Sequence, residues 1–266
     1  MRLMIKHTTR YQFKKPLRFA LQQIRMTPRT NAAQSVVSWE TRATGGTKEL
    51  VFLDHHRNVT ELIACGKGTT ELEIVSEGEI ELQDMSGIVG RHMGPAPLWL
   101  YRRETPLTEA KTGVKALVRG LDSAGEALER LHALSTAIRD RVDYVTGVSQ
   151  SDWTVETVIE AGQGVCQDHT HIFLSAAREM GFPARYVSGY LMLNDRTAQE
   201  AMHAWAEAHI EGLGWVGFDV SNGISPDTRY VRVATGLDYS EAAPVSGMRV
   251  GGSGERLDVS LDVVEQ

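Results

Sequence analysis

Cys166 follows a glycine-rich turn, Gly162-Gln163-Gly164, and opens a segment in which Ile172, Phe173, Ala176, Ala177 and Met180 recur at helical spacing. That spacing predicts a helix starting near Cys166 and buried along one stripe. Gly181 and Pro183 follow it in the order that ends helices. A helix N-terminus offers unpaired N–H groups and a partial positive charge, which favour an anion there. A thiolate is the nucleophilic form of cysteine, and the same N–H groups suit an oxyanion formed when a carbonyl is attacked. The segment alone admits a buried structural cysteine equally well.

A thiolate nucleophile needs a base, and the base needs an orienting group. His203 and Asp219 are the candidates. Residues 203–210 read as a strand in which His203, Trp205 and Glu207 share one face. Glu211 to Gly214 reads as a turn, and residues 215–220 return as the partner strand. With a three-residue loop, paired positions sum to an even number, so His203 and Asp219 share a face, opposite each other or one diagonal step apart. A carboxylate there would fix the imidazole tautomer and stabilise its cation. A two-residue loop would break this parity and leave an ordinary surface hairpin.

Around these residues the chain divides into two kinds of sequence. Residues 1–90 carry short apolar runs, among them 50–53 and 72–75, separated by turn signals, which predicts a small β-sandwich-like domain. His55-His56 reads as a turn, and in a strand the two side chains would part to opposite faces, a poor metal clamp. Residues 91–110, with Pro95, Pro97 and Pro106, read as a linker. Residues 111–266 then form the second domain. Leu128, Leu131, Leu134, Ile138 and Val142 mark a helix over 125–142, and a short helix covers 154–161. Strands follow at 184–193 and 203–220, and alternation from Leu257 to Val263 predicts one more. The fold class is α+β, helices first and an antiparallel sheet after.

Four motifs in order resemble the bacterial transglutaminase-like family: Gly-Val-Cys-Gln-Asp-His at 164–169, Ala-Arg-Tyr-Val-Ser-Gly-Tyr-Leu at 184–191, His-Ala-Trp-Ala-Glu at 203–207 and Gly-Trp-Val-Gly-Phe-Asp at 214–219. Members of this branch also carry an N-terminal β-rich region like residues 1–90. The resemblance implies a papain-like catalytic core with Cys166 as nucleophile, His203 as base and Asp219 as its orienter. It implies amide or peptide hydrolysis through a thioester. The alternatives are acyl transfer from glutamine to an amine and, less favoured, a binding protein that keeps the fold without turnover. No acidic spacing matches a calcium loop, so the expectation is a metal-free hydrolase with no cofactor.

Other positions are expected near this centre. Gln163 and Trp153 are candidates for a second oxyanion donor. Asp168 favours the helix start electrostatically. His169, Trp205, Tyr239 and Arg249 are candidate substrate contacts. For Trp205, packing beside the triad is the stronger reading. The segment 223–252, which also holds Arg229, Tyr230, Arg232 and Asp238, is expected to border the cleft or to lie as a solvated surface loop.

Composition sets the outer limits. The 266 residues are 42% hydrophobic and 23% charged, enough to bury a core without disulfides or a structural metal. A net charge of −6 argues against nucleic-acid binding, which needs a basic excess. Two cysteines, Cys65 and Cys166, do not suggest a secreted disulfide scaffold. The N-terminus has no signal-peptide core and no window is apolar enough to span a membrane. A cytoplasmic enzyme acting on a peptide or protein is the expectation. Oligomeric state is not legible.

Overall fold

Burial alternates along β1 (Arg2–Phe13): Leu3, Ile5, His7 and Thr9 point inward and most of the residues between them outward, the period of a half-buried strand. The strands that follow are β2 (Leu17–Thr27), β3 (Gln34–Thr44), β4 (Thr47–Leu53), β5 (Val59–Cys65) and β6 (Glu71–Leu82). They form two antiparallel sheets, one holding β1, β3 and β6 and the other β2, β4 and β5. Phe13, Leu17, Ile24, Ile63, Cys65 and Ile74 fill the space between. This is the expected sandwich, and Cys65 is one of its core residues. A computed structural model describes residues 1–121, 125–150, 152–193, 197–199 and 201–266.

The second half runs β7 (Ile88–Gly90), a 3-10 turn at Leu98–Arg102, α1 (Thr112–Val118), α2 (Ala127–Arg141), β8 (Asp143–Tyr144), α3 (Val155–Ala161), β9 (Gln163–Gly164) and α4 (Cys166–Glu179). It continues with β10 (Ala184–Leu191), β11 (Ala198–Gln199), β12 (His203–Ile210), β13 (Gly214–Phe218), β14 (Tyr230–Gly236), α5 (Tyr239–Ala242), β15 (Val245–Gly251) and β16 (Glu255–Glu265). The core sheet is antiparallel in the order β14-β10-β12-β13-β7. Helix α4 packs on it through Ile172, Phe173, Ala176 and Ala177, against Ala204, Ala206 and Ala208 of β12. Small residues on that face of β12 let the helix approach closely.

Three expectations need correction. The boundary at residue 111 does not follow the sheets, because β16 pairs with β1 along its length and β15 pairs with β2. The chain's last strands complete the sandwich, whose open edges would otherwise expose unpaired backbone groups. The stretch 91–110 is not a free linker. Tyr101 is buried between the two halves, and just upstream β7 extends the core sheet beside β13. Helix α4 is buried all round from Asp168 to Arg178, where a single stripe was expected. Its polar side is satisfied internally: Arg178 donates to the carbonyls of Tyr101, Ala184 and Leu237 and to Thr108 Oγ1. Burial lowers this arginine to about 10. No helix among the described residues is long and apolar enough to cross a membrane.

On the far face of the core sheet, fully buried Glu207 lies between two arginines, taking Arg185 Nε at 2.6 Å and Arg232 Nε at 2.8 Å. Burial would raise this carboxyl, but the two guanidiniums outweigh it and hold it below the usual range. Removing the carboxylate leaves Arg185 buried without a counter-charge, which costs about 3–5 kcal/mol. Glu207→Ala is therefore expected to lower Tm by roughly 6–20 °C in differential scanning calorimetry. A shift within a degree of the parent would show that the cluster contributes nothing to stability.

Candidate functional site

Cys166 is the first residue of α4, with Val165 as the N-cap. The turn before it is closed by Asp168, which accepts the Val165 N–H at 2.8 Å. Gly164 is required there, since a Cβ would stand 2.8 Å from Asp168 Cβ and 2.9 Å from its Oδ2. Asp168 therefore does more than bias the helix electrostatically: its carboxylate ties down the turn that presents the sulfur. Cys166 is half-buried at the surface of the main core.

The β12–β13 hairpin has the three-residue loop 211–213, with Ile210 opposite Gly214 and Ala206 opposite Phe218. Pairs sum to an even number, as expected, and the register puts Asp219 one diagonal step from His203. His203 Nε2 lies 2.6 Å from Asp219 Oδ2. Cys166 acts on the same imidazole and raises its affinity for a proton. Burial works against charge on His203, but the hydrogen bonds and negative charge of Asp219 and Cys166 prevail and raise it to about 10.

Asp219 is fully buried. Besides the imidazole, its Oδ2 accepts Asn222 Nδ2 at 2.7 Å and Tyr230 OH at 2.7 Å, while Oδ1 accepts the Asn222 N–H at 3.1 Å. Burial would raise the carboxyl, but His203, Tyr230 and Asn222 together hold it below the usual range. Sequence reasoning missed Asn222 altogether and placed Tyr230 only loosely near the cleft. An Asp-x-x-Asn turn after a strand was the available signal.

The remaining predicted residues separate. Trp205 stacks on His203 with ring centroids 6.3 Å apart and packs with Val187, Leu191 and Tyr230, so it braces the imidazole. Gly189, opposite His203, accommodates it, since a Cβ there would come within 2.3 Å of the indole. His169 does not face a cleft: it is buried, with Nδ1 2.9 Å from Ser221 Oγ and Nε2 3.0 Å from the Val142 carbonyl. Arg249 lies on β15 in the sandwich, opposite Ala20, paired with Glu255 and 5.7 Å from the Phe13 ring. It is no part of this site, because the strand carrying it leaves the core sheet. Tyr239 is half-buried beside Tyr186, at 6.1 Å between rings, and its N–H donates to His171 Nε2. Gln163 lies in β9, paired with Asp143, and Trp153 packs half-buried on the main core.

His55 and His56 form the expected turn, but the turn does not part them as a strand would. Their ring nitrogens and a Glu241 oxygen all lie within 4.8 Å of one another. His56 Nε2 is already engaged with Glu241 at 2.8 Å.

Residues 3–81 match the bacterial transglutaminase-like N-terminal region, and residues 115–220, which hold Cys166, His203 and Asp219, match the transglutaminase-like superfamily core. The chain thus carries a transglutaminase-like core behind a bacterial transglutaminase-like N-terminal region. The superfamily is one of cysteine-based hydrolases and transferases. An uncharacterized Mycobacterium leprae protein is 26% identical over 98% of both chains. A Mycobacterium tuberculosis protein, also uncharacterized, is 32% identical over 52% of this chain and 47% of its own; the match spans about half of that relative. A cysteine-protease candidate from Cytophaga hutchinsonii has the same fold, with a TM-score of 0.77 at 17% identity over 99% of this chain and 98% of that one.

Proposed function

We propose that this protein hydrolyses amide bonds in peptides or proteins through a thioester, with Cys166 as nucleophile, His203 as acid and base, and Asp219 as the group that orients it. The observation that carries the reading is one imidazole bonded to a buried carboxylate and charged in part through the cysteine at a helix N-terminus. The Cys166 thiolate attacks the carbonyl carbon. The oxygen gathers negative charge beside the first N–H groups of α4, and Gln163 or Trp153 supplies a second donor. The carbon–nitrogen bond breaks as protonated His203 gives its proton to the leaving amine. Neutral His203 then takes a proton from water, the resulting hydroxide attacks the thioester, and the thiolate leaves. Asp219 stays ionised throughout and holds Nε2–H. The setting is cytoplasmic, where the thiol stays reduced, and the ligand is a peptide rather than nucleic acid or a membrane surface.

Water and an amine compete for the same thioester. Incubation of the protein with a glutamine-containing protein and a labelled primary amine separates the two outcomes. Hydrolysis predicts release of free carboxylate with no stable label. Label retained through denaturing gel electrophoresis would replace hydrolysis by acyl transfer.

A further inference from the structure

A cavity of about 450 Å³ lies between the sandwich and the far face of the core sheet. Five arginines line it: Arg29 and Arg57 from sandwich loops, Arg91 just after β7, Arg185 on β10 and Arg232 on β14. No aspartate or glutamate lines it among the described residues. Glu207, behind the wall, is shared by Arg185 and Arg232. Arg29, Arg57 and Arg91 have no ion pair with a carboxylate among the described residues. Two of them are held by backbone carbonyls instead, Arg29 Nη1 on Arg57 at 3.0 Å and Arg57 Nη1 on Met93 at 2.9 Å. Those bonds fix the guanidiniums without neutralising them.

In a chain of net charge −6, so much unbalanced positive charge around one cavity is costly unless an anion offsets it. The crowding is direct: burial, then Arg57 and Arg232, push the Arg29 guanidinium below its usual range. Arg57 also holds a left-handed backbone, with φ at 67°, which glycine adopts freely and asparagine more readily than arginine. An arginine kept at such a position points to a use for its charge. Tyr101 and Trp215 form an aromatic wall, and the Arg185 guanidinium lies 3.9 Å over the Trp215 ring. The volume is that of a small-molecule site, and arginine's planar fork matches phosphate oxygens in pairs.

We propose that this cavity binds a phosphate-bearing small molecule, at a site separate from Cys166. None of Cys166, His203 and Asp219 lines it, so the proposal stands independently of the hydrolase reading. Isothermal titration of the full chain with inorganic pyrophosphate is the test, beside citrate as a carboxylate counterpart and sodium chloride at matched ionic strength. Saturable binding of pyrophosphate is expected, with citrate weaker. Arg57→Asn, which suits the left-handed backbone and so keeps the fold, and Arg91→Gln on an exposed side chain should each weaken it about tenfold. Thermal melts of both variants would confirm that they fold. Absence of saturable pyrophosphate binding, citrate binding as tightly, or unchanged affinity in both folded variants would overturn the proposal.

Discussion

Cys166→Ala is expected to reduce kcat on a cleavable peptide by about 10⁴-fold or more, while Tm stays within about 2 °C of the parent. The sulfur is half-buried at the edge of the core, so its loss leaves no enclosed cavity. What disappears is the atom proposed to form the thioester. A peptide-library digest read by mass spectrometry measures the first quantity and calorimetry the second. Alkylation supplies an independent readout. Cys65 is fully buried, so rapid iodoacetamide labelling at pH 6 should belong to Cys166 and vanish in the alanine variant. Cleavage persisting within tenfold of the parent would remove Cys166 from the chemistry.

The second large effect is expected at Asp219. Asp219→Asn preserves shape but presents an amide where the carboxylate takes donors from His203, Tyr230 and Asn222. The imidazole then loses the acceptor that sets its tautomer, and kcat should fall about 10³- to 10⁴-fold. The pH dependence should change as well. His203 is raised to about 10 in the fold against about 6.5 in an unfolded chain, so the folded state binds its proton more tightly. The associated stability is complete below pH about 6.5 and is lost as pH rises through about 10. The alkaline limb of kcat/KM, set by loss of that proton, should lie near the upper end of this window and move to lower pH in the asparagine variant. An unmoved limb would mean that Asp219 does not govern the imidazole.

Much of the site was legible before any coordinates, because its parts are local. The turn 162–164, the helix it launches and the hairpin 203–219 each follow from spacing within a score of residues. A three-residue loop would put His203 and Asp219 on one face and a two-residue loop would not, and the observed pairing has three. Asp168 could be placed in the first turn of its helix, although not that it closes onto Val165. Residues whose role depends on what lies beyond their own element were misread. His169 sits on the same helix as Cys166 but is sealed by Val142 and Ser221. Tyr230 reaches Asp219 only because β14 joins the core sheet beside β10.

By itself, then, the sequence determined the helix that opens at Cys166, the hairpin that carries His203 toward Asp219 and the alternating last strand, since hydrophobic period and turn chemistry are short-range properties of the chain. Tertiary structure alone decided that β15 and β16 return to the first strands, which removed Arg249 from the site. It also decided that Glu207 is buried between two arginines and that five arginines from both halves face one cavity. Such pairings join residues up to about 260 positions apart. They are selected by which edges and faces remain to be covered once the whole chain packs, and no local pattern records that choice.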